Sequence, residues 1–263
     1  MDCAIVMTEL EKRGTPEARK AWSKQGVKGK SFGVGEAALA ALAKKIGRDQ
    51  NLATELWKTA NHDARMLATL VANPVYMNAA TVDRWARDAD NHLLTGAVSE
   101  IAAQAAAIGA GVKVADAKRW SDSPDEWIGS LGWTMLGLIC GAGKLPERDA
   151  QAALDRIERG ILTAKNRTRH AMNGALIEIG NGIPALRERA LAMAQRLGKI
   201  EVDHGESGGE TPDAHAAILR GKSGKAAKKP GAVKSSPGKK PASNGSKPAS
   251  ATVPKKKAAA AGR

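Results

Sequence analysis

Aromatic residues are scarce, at 3% of 263 residues: six tryptophans, one tyrosine and one phenylalanine. All lie between Trp22 and Trp133, so the C-terminal half has no Trp, Tyr or Phe. Cysteine is nearly absent: Cys3 and Cys140 stand in unrelated contexts. They define no disulfide framework and no metal-binding pair, which suits a reducing compartment. Long apolar runs are missing too. The stretch from Leu131 to Gly143 falls well short of the roughly 20 residues that span a bilayer. The first residues, with Asp2 among them, do not read as a signal peptide. No G-x-S-x-G, P-loop or Rossmann fingerprint occurs. The expectation is a soluble cytoplasmic protein with no cofactor and no metal.

Negative charge is missing from one region only. The chain carries 41 Lys+Arg against 27 Asp+Glu, a net of +14. From Arg220 to Arg263 there are 13 basic residues and no acidic one. The remainder holds 28 basic and 27 acidic residues, a net of +1. A uniformly basic globule is therefore excluded. The residues after Arg220 are almost all Lys, Ala, Gly, Ser and Pro, with no Leu, Ile, Met or aromatic. Such a segment buries too little surface to offset its ordering entropy and is expected to be disordered. Its lysine pairs Lys228-Lys229 and Lys239-Lys240 and the run Lys255-Lys256-Lys257 suit polyanions. They would track DNA phosphates without reading sequence, with steep salt dependence. The expected address is therefore nucleoid-associated, within the cytoplasm. The bland alternative is a solubilising tail.

The body is rich in alanine, the best helix former. Ala38, Leu39, Leu42, Ala43 and Ile46 make one apolar stripe of a 3.6-residue period, stopped by Gly47. Similar stripes follow at Leu52–Trp57, Met66–Val71, Ala79–Arg87 and Leu93–Ala107. Ser123-Pro124-Asp125-Glu126 reads as a capping box with serine as the cap, opening a helix with Trp127, Leu131, Met135 and Ile139. Pro146, Arg167 and Pro184 open others, and Gly198 stops the last of these. Thr211-Pro212-Asp213 repeats the cap-then-proline pattern. About ten or eleven helices of moderate length, joined by short turns, suggest an all-α fold: a HEAT-like α-solenoid of antiparallel helix pairs. A compact irregular bundle is the alternative. The expected organisation is an N-terminal helical segment (1–30), the repeat domain (31–219) and the basic tail (220–263).

Candidate chemistry is thin. The segment with Asp203, His204, Glu206, Asp213 and His215 is either a metal or acid–base cluster or a polar loop folded onto the array, and its spacing matches no ligand motif. Arg169 and His170, with Lys165 and Arg167, form a basic cluster at a helix start that suits phosphate. Lys44, Lys45 and Arg65 are weaker candidates of the same kind. The aromatics read mostly as core and repeat-interface fillers.

Several segments, in order, resemble the AlkD-like DNA alkylation repair family, the HEAT-like-repeat DNA glycosylases. They are Phe32-Gly-Val34, Leu56-Trp57 with Asn61-His-Asp-Ala-Arg65, Asp83-Arg-Trp85, Asp125-Glu-Trp127 with Gly132-Trp133, Arg169-His-Ala-Met-Asn-Gly174, and Val202-Asp-His-Gly-Glu206. The match runs over about residues 30–218. The resemblance implies a curved helical array whose basic concave face holds duplex DNA. It also implies release of N3- or N7-alkylated purines, with a carboxylate near the sugar stabilising the developing oxocarbenium. Such a base is already a good leaving group, so the protein need supply little beyond electrostatics.

Four positions depart from that pattern. The family's aromatic residue falls at His92, and its catalytic aspartate falls at Gly96. Its groove arginine falls at Ser130, and its second groove tryptophan at Gly174. Asp90 is the substitute carboxylate named by sequence, with Asp88 and Glu100 also near, but a carboxylate a turn away is expected to point elsewhere. The sequence therefore favours DNA binding with base excision weak or lost. An active glycosylase remodelled around His92, or a protein–protein scaffold tethered to nucleic acid by its tail, are the alternatives.

Overall fold

The structure is a computed structural model in which residues 1–221 are described. Lys228, Lys229, Lys239, Lys240, Lys255, Lys256 and Lys257 lie outside the described residues. The described chain is α1 (Cys3–Arg13), α2 (Pro16–Lys24), α3 (Glu36–Ile46), α4 (Gln50–Lys58), α5 (His62–Val71), α6 (Ala79–Asp88), α7 (His92–Ala107), α8 (Val114–Ser121), α9 (Glu126–Gly141), α10 (Glu147–Gly160), α11 (Asn166–Gly182), α12 (Arg187–Leu197) and α13 (Ala214–Gly221). Short 3-10 turns follow α5, precede α12 and interrupt the loop before α13. No strand occurs among the described residues.

The helices form two rows. In the inner row α3, α5, α7, α9, α11 and α13 pack each on the next. In the outer row α4, α6, α8, α10 and α12 each lie against the inner helix that follows. This is the layering of a HEAT-like array, in which no repeat buries its apolar face alone. Leu67, Val98, Leu131, Leu176 and Ile218, one on each of five successive inner helices, are all buried in one continuous core. Helix α1 shares that core through Val6 and Leu10, and α2 buries Trp22.

Most helix starts are set by side-chain caps. Asp49, Asn61, Asn78 and Asn91 each accept a backbone N–H two or three residues into the helix they precede. The two cap-then-proline sites differ from expectation in the same way. At α9 the cap is Asp125, which accepts from Trp127 and Ile128. Ser123 instead accepts from the Asp125 N–H. At α13 the cap is Asp213, which accepts from Ala216. In both, proline sits before the cap rather than inside the first turn. Glu126, expected to close a capping box, instead accepts the Arg167 backbone N–H at 2.6 Å and so ties α9 to α11.

Tryptophan–aspartate pairs latch neighbouring helices in the N-terminal half. Trp22 donates to Asp63, Trp57 donates to Asp88 at 2.8 Å, and Trp120 donates to Asp83. Asp63 is the hub of this set. Fully buried, it accepts from Trp22 Nε1, the Ser31 hydroxyl and the backbone N–H groups of Phe32, Gly33 and Val34. Gly33 makes this wrap achievable: its φ is +80°, and a Cβ there would lie 2.5 Å from the Thr15 carbonyl. The Phe32-Gly-Val34 segment thus exists to enclose a carboxylate. Trp57 also stacks on Trp85 at 4.3 Å. The tryptophans other than Trp127 are buried fillers, as their spacing implied.

Candidate nucleic-acid interface

Several cations of the body lie on the outer row, where they are paired. Lys118 of α8 pairs with Asp149 of α10, and Arg156 of α10 pairs with Asp122. Arg189 and Arg196 of α12 pair with Asp155 and Glu158 of α10. These bridges stitch successive outer helices together. The inner helices α7 and α9 contain no lysine or arginine at all. A basic groove running along the middle of the inner row is therefore not built on these helices.

Several expected phosphate contacts are engaged within the fold. Arg65 donates to the carbonyls of Trp57 and Asp88, lies over the Trp57 ring at 5.1 Å, and faces the Asp88 carboxylate. It is a strut between α4, α5 and α6, not a free cation. Arg169 donates to the carbonyls of Ala164 and Glu201, pinning the loop that follows α12. Lys44 and Lys45 are exposed at the end of α3.

Three of the four departures from the family pattern are small residues in helices, and two of them face open space. A Cβ added at Gly96 or at Gly174 would meet nothing within 4 Å. These glycines are the positions where the resemblance puts an aspartate and a tryptophan, and each faces space that a side chain could enter. Ser130 is buried in α9. The solvent-facing stripe of that helix is Trp127, Thr134 and Leu138, without charge.

His92 and Gly96 line an open depression of about 300 Å³ between α5 and α7, with Arg48, Met66, Leu70, Glu100 and Gln104. Asp90, named by sequence as a substitute carboxylate, is not in it. Asp90 lines a separate small cavity with His62, Arg65 and Gly29. Asp88 accepts from Trp57. The carboxylate that shares the depression is Glu100, exposed one turn beyond Gly96. The expectation that a carboxylate one turn away points elsewhere fails here, because residues four apart share a helix face. Arg48 was not picked out by sequence; it donates to the carbonyls of Leu70 and Ala72 and leans on Gln104.

The polar loop from Glu201 to Asp213 folds onto the array. Asn166 of α11 makes two hydrogen bonds with the Asp203 backbone, and Asn173 donates to the Pro212 carbonyl. Residues Gly205–Ser207 lie against α2, so the loop crosses from α11 to the other end of the row. No group of His, Cys, Asp and Glu among the described residues is arranged to hold a metal.

Under this loop a nitrogen-rich cluster forms that sequence did not identify as a unit. Arg167 Nη1 lies 3.4 Å from His204 Nδ1. His204 Nε2 lies 2.9 Å from the Thr211 hydroxyl, which lies 3.1 Å from His170 Nδ1. The guanidinium can only donate, which assigns the His204 ring. Arg167 donates to His204 Nδ1, which leaves His204 Nε2–H to donate to Thr211, and the Thr211 hydroxyl shares a further hydrogen bond with His170 Nδ1. The His170 and His204 rings meet edge to face at 5.2 Å. His92 feels the same positive field. Burial first, then Arg167, His170 and His204, push its imidazole down to about 4. Burial and the same neighbours lower His170 as well. The available signal was a repeated His-x-x-x-Gly, at His92–Gly96 and His170–Gly174, which begins at the first residue of α7 and one turn into α11.

Comparison with known proteins agrees with this architecture. A family model described as DNA alkylation repair enzyme matches residues 6–204. An uncharacterised protein of Listeria innocua is 28% identical over 183 residues, covering 68% of this chain and 77% of its own. An uncharacterised protein of Listeria monocytogenes gives the same identity and coverage. A solved structure superposes with a TM-score of 0.72 and 28% identity, over 85% of this chain and 94% of its own. It is described as belonging to a new family of proteins related to the HEAT-like repeat DNA glycosylases with affinity for branched DNA structures. With the family model matched over most of its length, this chain belongs to the DNA alkylation repair enzyme family.

Proposed function

We propose that the protein is a DNA-binding member of this family that has given up base excision and holds branched or duplex DNA through phosphate contacts. The observation that carries the reading is Gly96. Where catalysis needs a fixed anion beside the sugar, this chain has a hydrogen atom facing open space. Removing a preorganised electrostatic group of this kind typically costs about 10²–10³ in rate. The missing cations of α7 and α9 fit a protein gripping DNA at the edges of the inner row and through its basic tail. The solved relative's affinity for branched DNA makes a four-way junction the first ligand to try.

The test uses the full chain with three DNAs: plain duplex, a four-way junction, and duplex carrying N3- or N7-methylpurine. The expected result is tighter binding of the junction and base release no faster than the spontaneous rate. Release clearly above that rate overturns the reading. One observation favours a second reading: Glu100 shares the depression with Gly96. If excision is seen and Glu100→Gln abolishes it, the chain is a glycosylase with its carboxylate moved one turn along α7.

A further inference from the structure

The cluster under the loop holds a cation that no carboxylate pairs directly among the described residues, although Glu126 and Asp203 stand near it. Arg167 is half-buried, yet among the described residues it makes no ion pair. Its only side-chain hydrogen-bond partner among them is His204 Nδ1. The nearest acids are otherwise engaged. Glu126 accepts the Arg167 backbone N–H, and Asp203 accepts the Gly205 N–H. They raise the Arg167 guanidinium, but burial outweighs them and its affinity for its proton falls. Holding a cation away from water without a partner is costly, and folds retain such groups where a ligand completes them. The elements around the site supply no further charge of the wrong sign: α7 gives His92, α9 gives Glu126, α11 gives Arg167 and His170, and the loop gives Asp203, His204 and Thr211.

We propose that Arg167, His92, His170 and His204 form a seat for one backbone phosphate of DNA, and that filling the seat draws a proton from solvent onto a histidine. This rests on the DNA-binding reading above. An incoming phosphate oxygen accepts the Arg167 N–H and brings an anion beside His170 and His92, whose charged forms burial and Arg167 disfavour in the free protein. The proton taken up comes from buffer, and no bond other than N–H is made or broken.

The charge on the tail does not blur this signal. Lysine stays protonated through the whole window in which histidine titrates. If the phosphate returns His92 from about 4 to the ordinary histidine value, linkage predicts up to about tenfold tighter binding at about pH 5.5 than at about pH 7.5. Full-chain protein would be measured against a four-way junction at both pH values and constant ionic strength, with far-ultraviolet circular dichroism confirming the fold at each. The expected result is severalfold to tenfold tighter binding in acid. That pH dependence should vanish in His92→Asn/His170→Asn, while Arg167→Gln weakens binding at both pH values. The five histidines would also be titrated by NMR with and without inorganic pyrophosphate. An upward move of the His92 and His170 titrations with pyrophosphate supports the seat even if DNA does not bind, in which case the DNA reading alone fails. Unmoved titrations with pyrophosphate, or junction binding without pH dependence, overturn the seat.

Discussion

Asp63 offers the sharpest test of how this array is held together. Its side chain is fully buried and accepts five hydrogen bonds, two from side chains and three from consecutive backbone N–H groups. Asp63→Ala removes every acceptor at once and leaves Trp22 Nε1–H and the turn at Phe32–Val34 without partners. A single buried donor left unsatisfied costs about 1–3 kcal/mol, but relaxation and entering water share the load, so the sum is not five such terms. Hydrogen bonds to a charged acceptor are worth about 1.5–3 kcal/mol each, and with that sharing the expected loss here is about 3–5 kcal/mol. Against a total stability of about 5–15 kcal/mol this is severe. Asp63→Asn keeps the shape and one acceptor oxygen, and should lose roughly half as much. Asp88→Ala is the control: its side chain is 40% exposed and holds one indole plus a long contact to Arg65, so about 1 kcal/mol is expected. The assay is urea unfolding of the full chain followed by circular dichroism. A loss below about 1 kcal/mol for Asp63→Ala would refute the view that this carboxylate organises the N-terminal repeats.

Gly96→Ala and Gly174→Ala should each stabilise the fold by about 0.5–1 kcal/mol, because both sit inside helices with open space beyond Cβ; a measured loss at either would mean the space is not free. Gly132→Ala should do the reverse, since its Cβ would fall 2.1 Å from the Ser121 nitrogen; a melting point equal to the parent's would show that α8 and α9 slide apart easily. Stability should also fall in acid. His92 is held neutral in the fold at about 4 against about 6.5 when unfolded, so its contribution is complete above pH 6.5 and lost as pH falls from there toward 4. After allowance for its partial exposure the loss is on the order of 1–2 kcal/mol, and His92→Asn should flatten that part of the stability–pH curve. Truncation after Gly221 should lower DNA affinity and flatten its salt slope; an unchanged slope would place the phosphate contacts in the body.

Periodicity made most of the fold legible, because the signal is local. The stripe from Ala38 to Ile46 gave α3, and Gly47 gave its end, without any tertiary knowledge. Helix α8 escaped because Val114–Ser121 is too short to show a full stripe. The Ser-Pro-Asp and Thr-Pro-Asp starts were misplaced by two residues, since sequence offers two cap candidates and only the backbone conformation chooses. Site residues were harder for a different reason. The partners of Arg65 and Arg169 are backbone carbonyls of other elements, which carry no residue-type signature. The cluster of His92, Arg167, His170 and His204 spans more than a hundred positions and is assembled by a loop. Glu100 was within reach of sequence: it lies four residues from Gly96 on the same helix.

The aromatic latches have a consequence for how this protein can be watched. Every tryptophan lies between Trp22 and Trp133, and three of them donate their indole N–H to an aspartate of a neighbouring element. Their fluorescence therefore reports mainly on the N-terminal repeats: α10 through α13 carry no tryptophan, and Trp133, under Arg156 of α10, senses them from α9. In a linear array, where each repeat leans mainly on its neighbours, the two halves need not melt together. Comparing an emission melt with an ellipticity melt would then resolve which half lets go first, using the intrinsic dyes that the chain itself supplies.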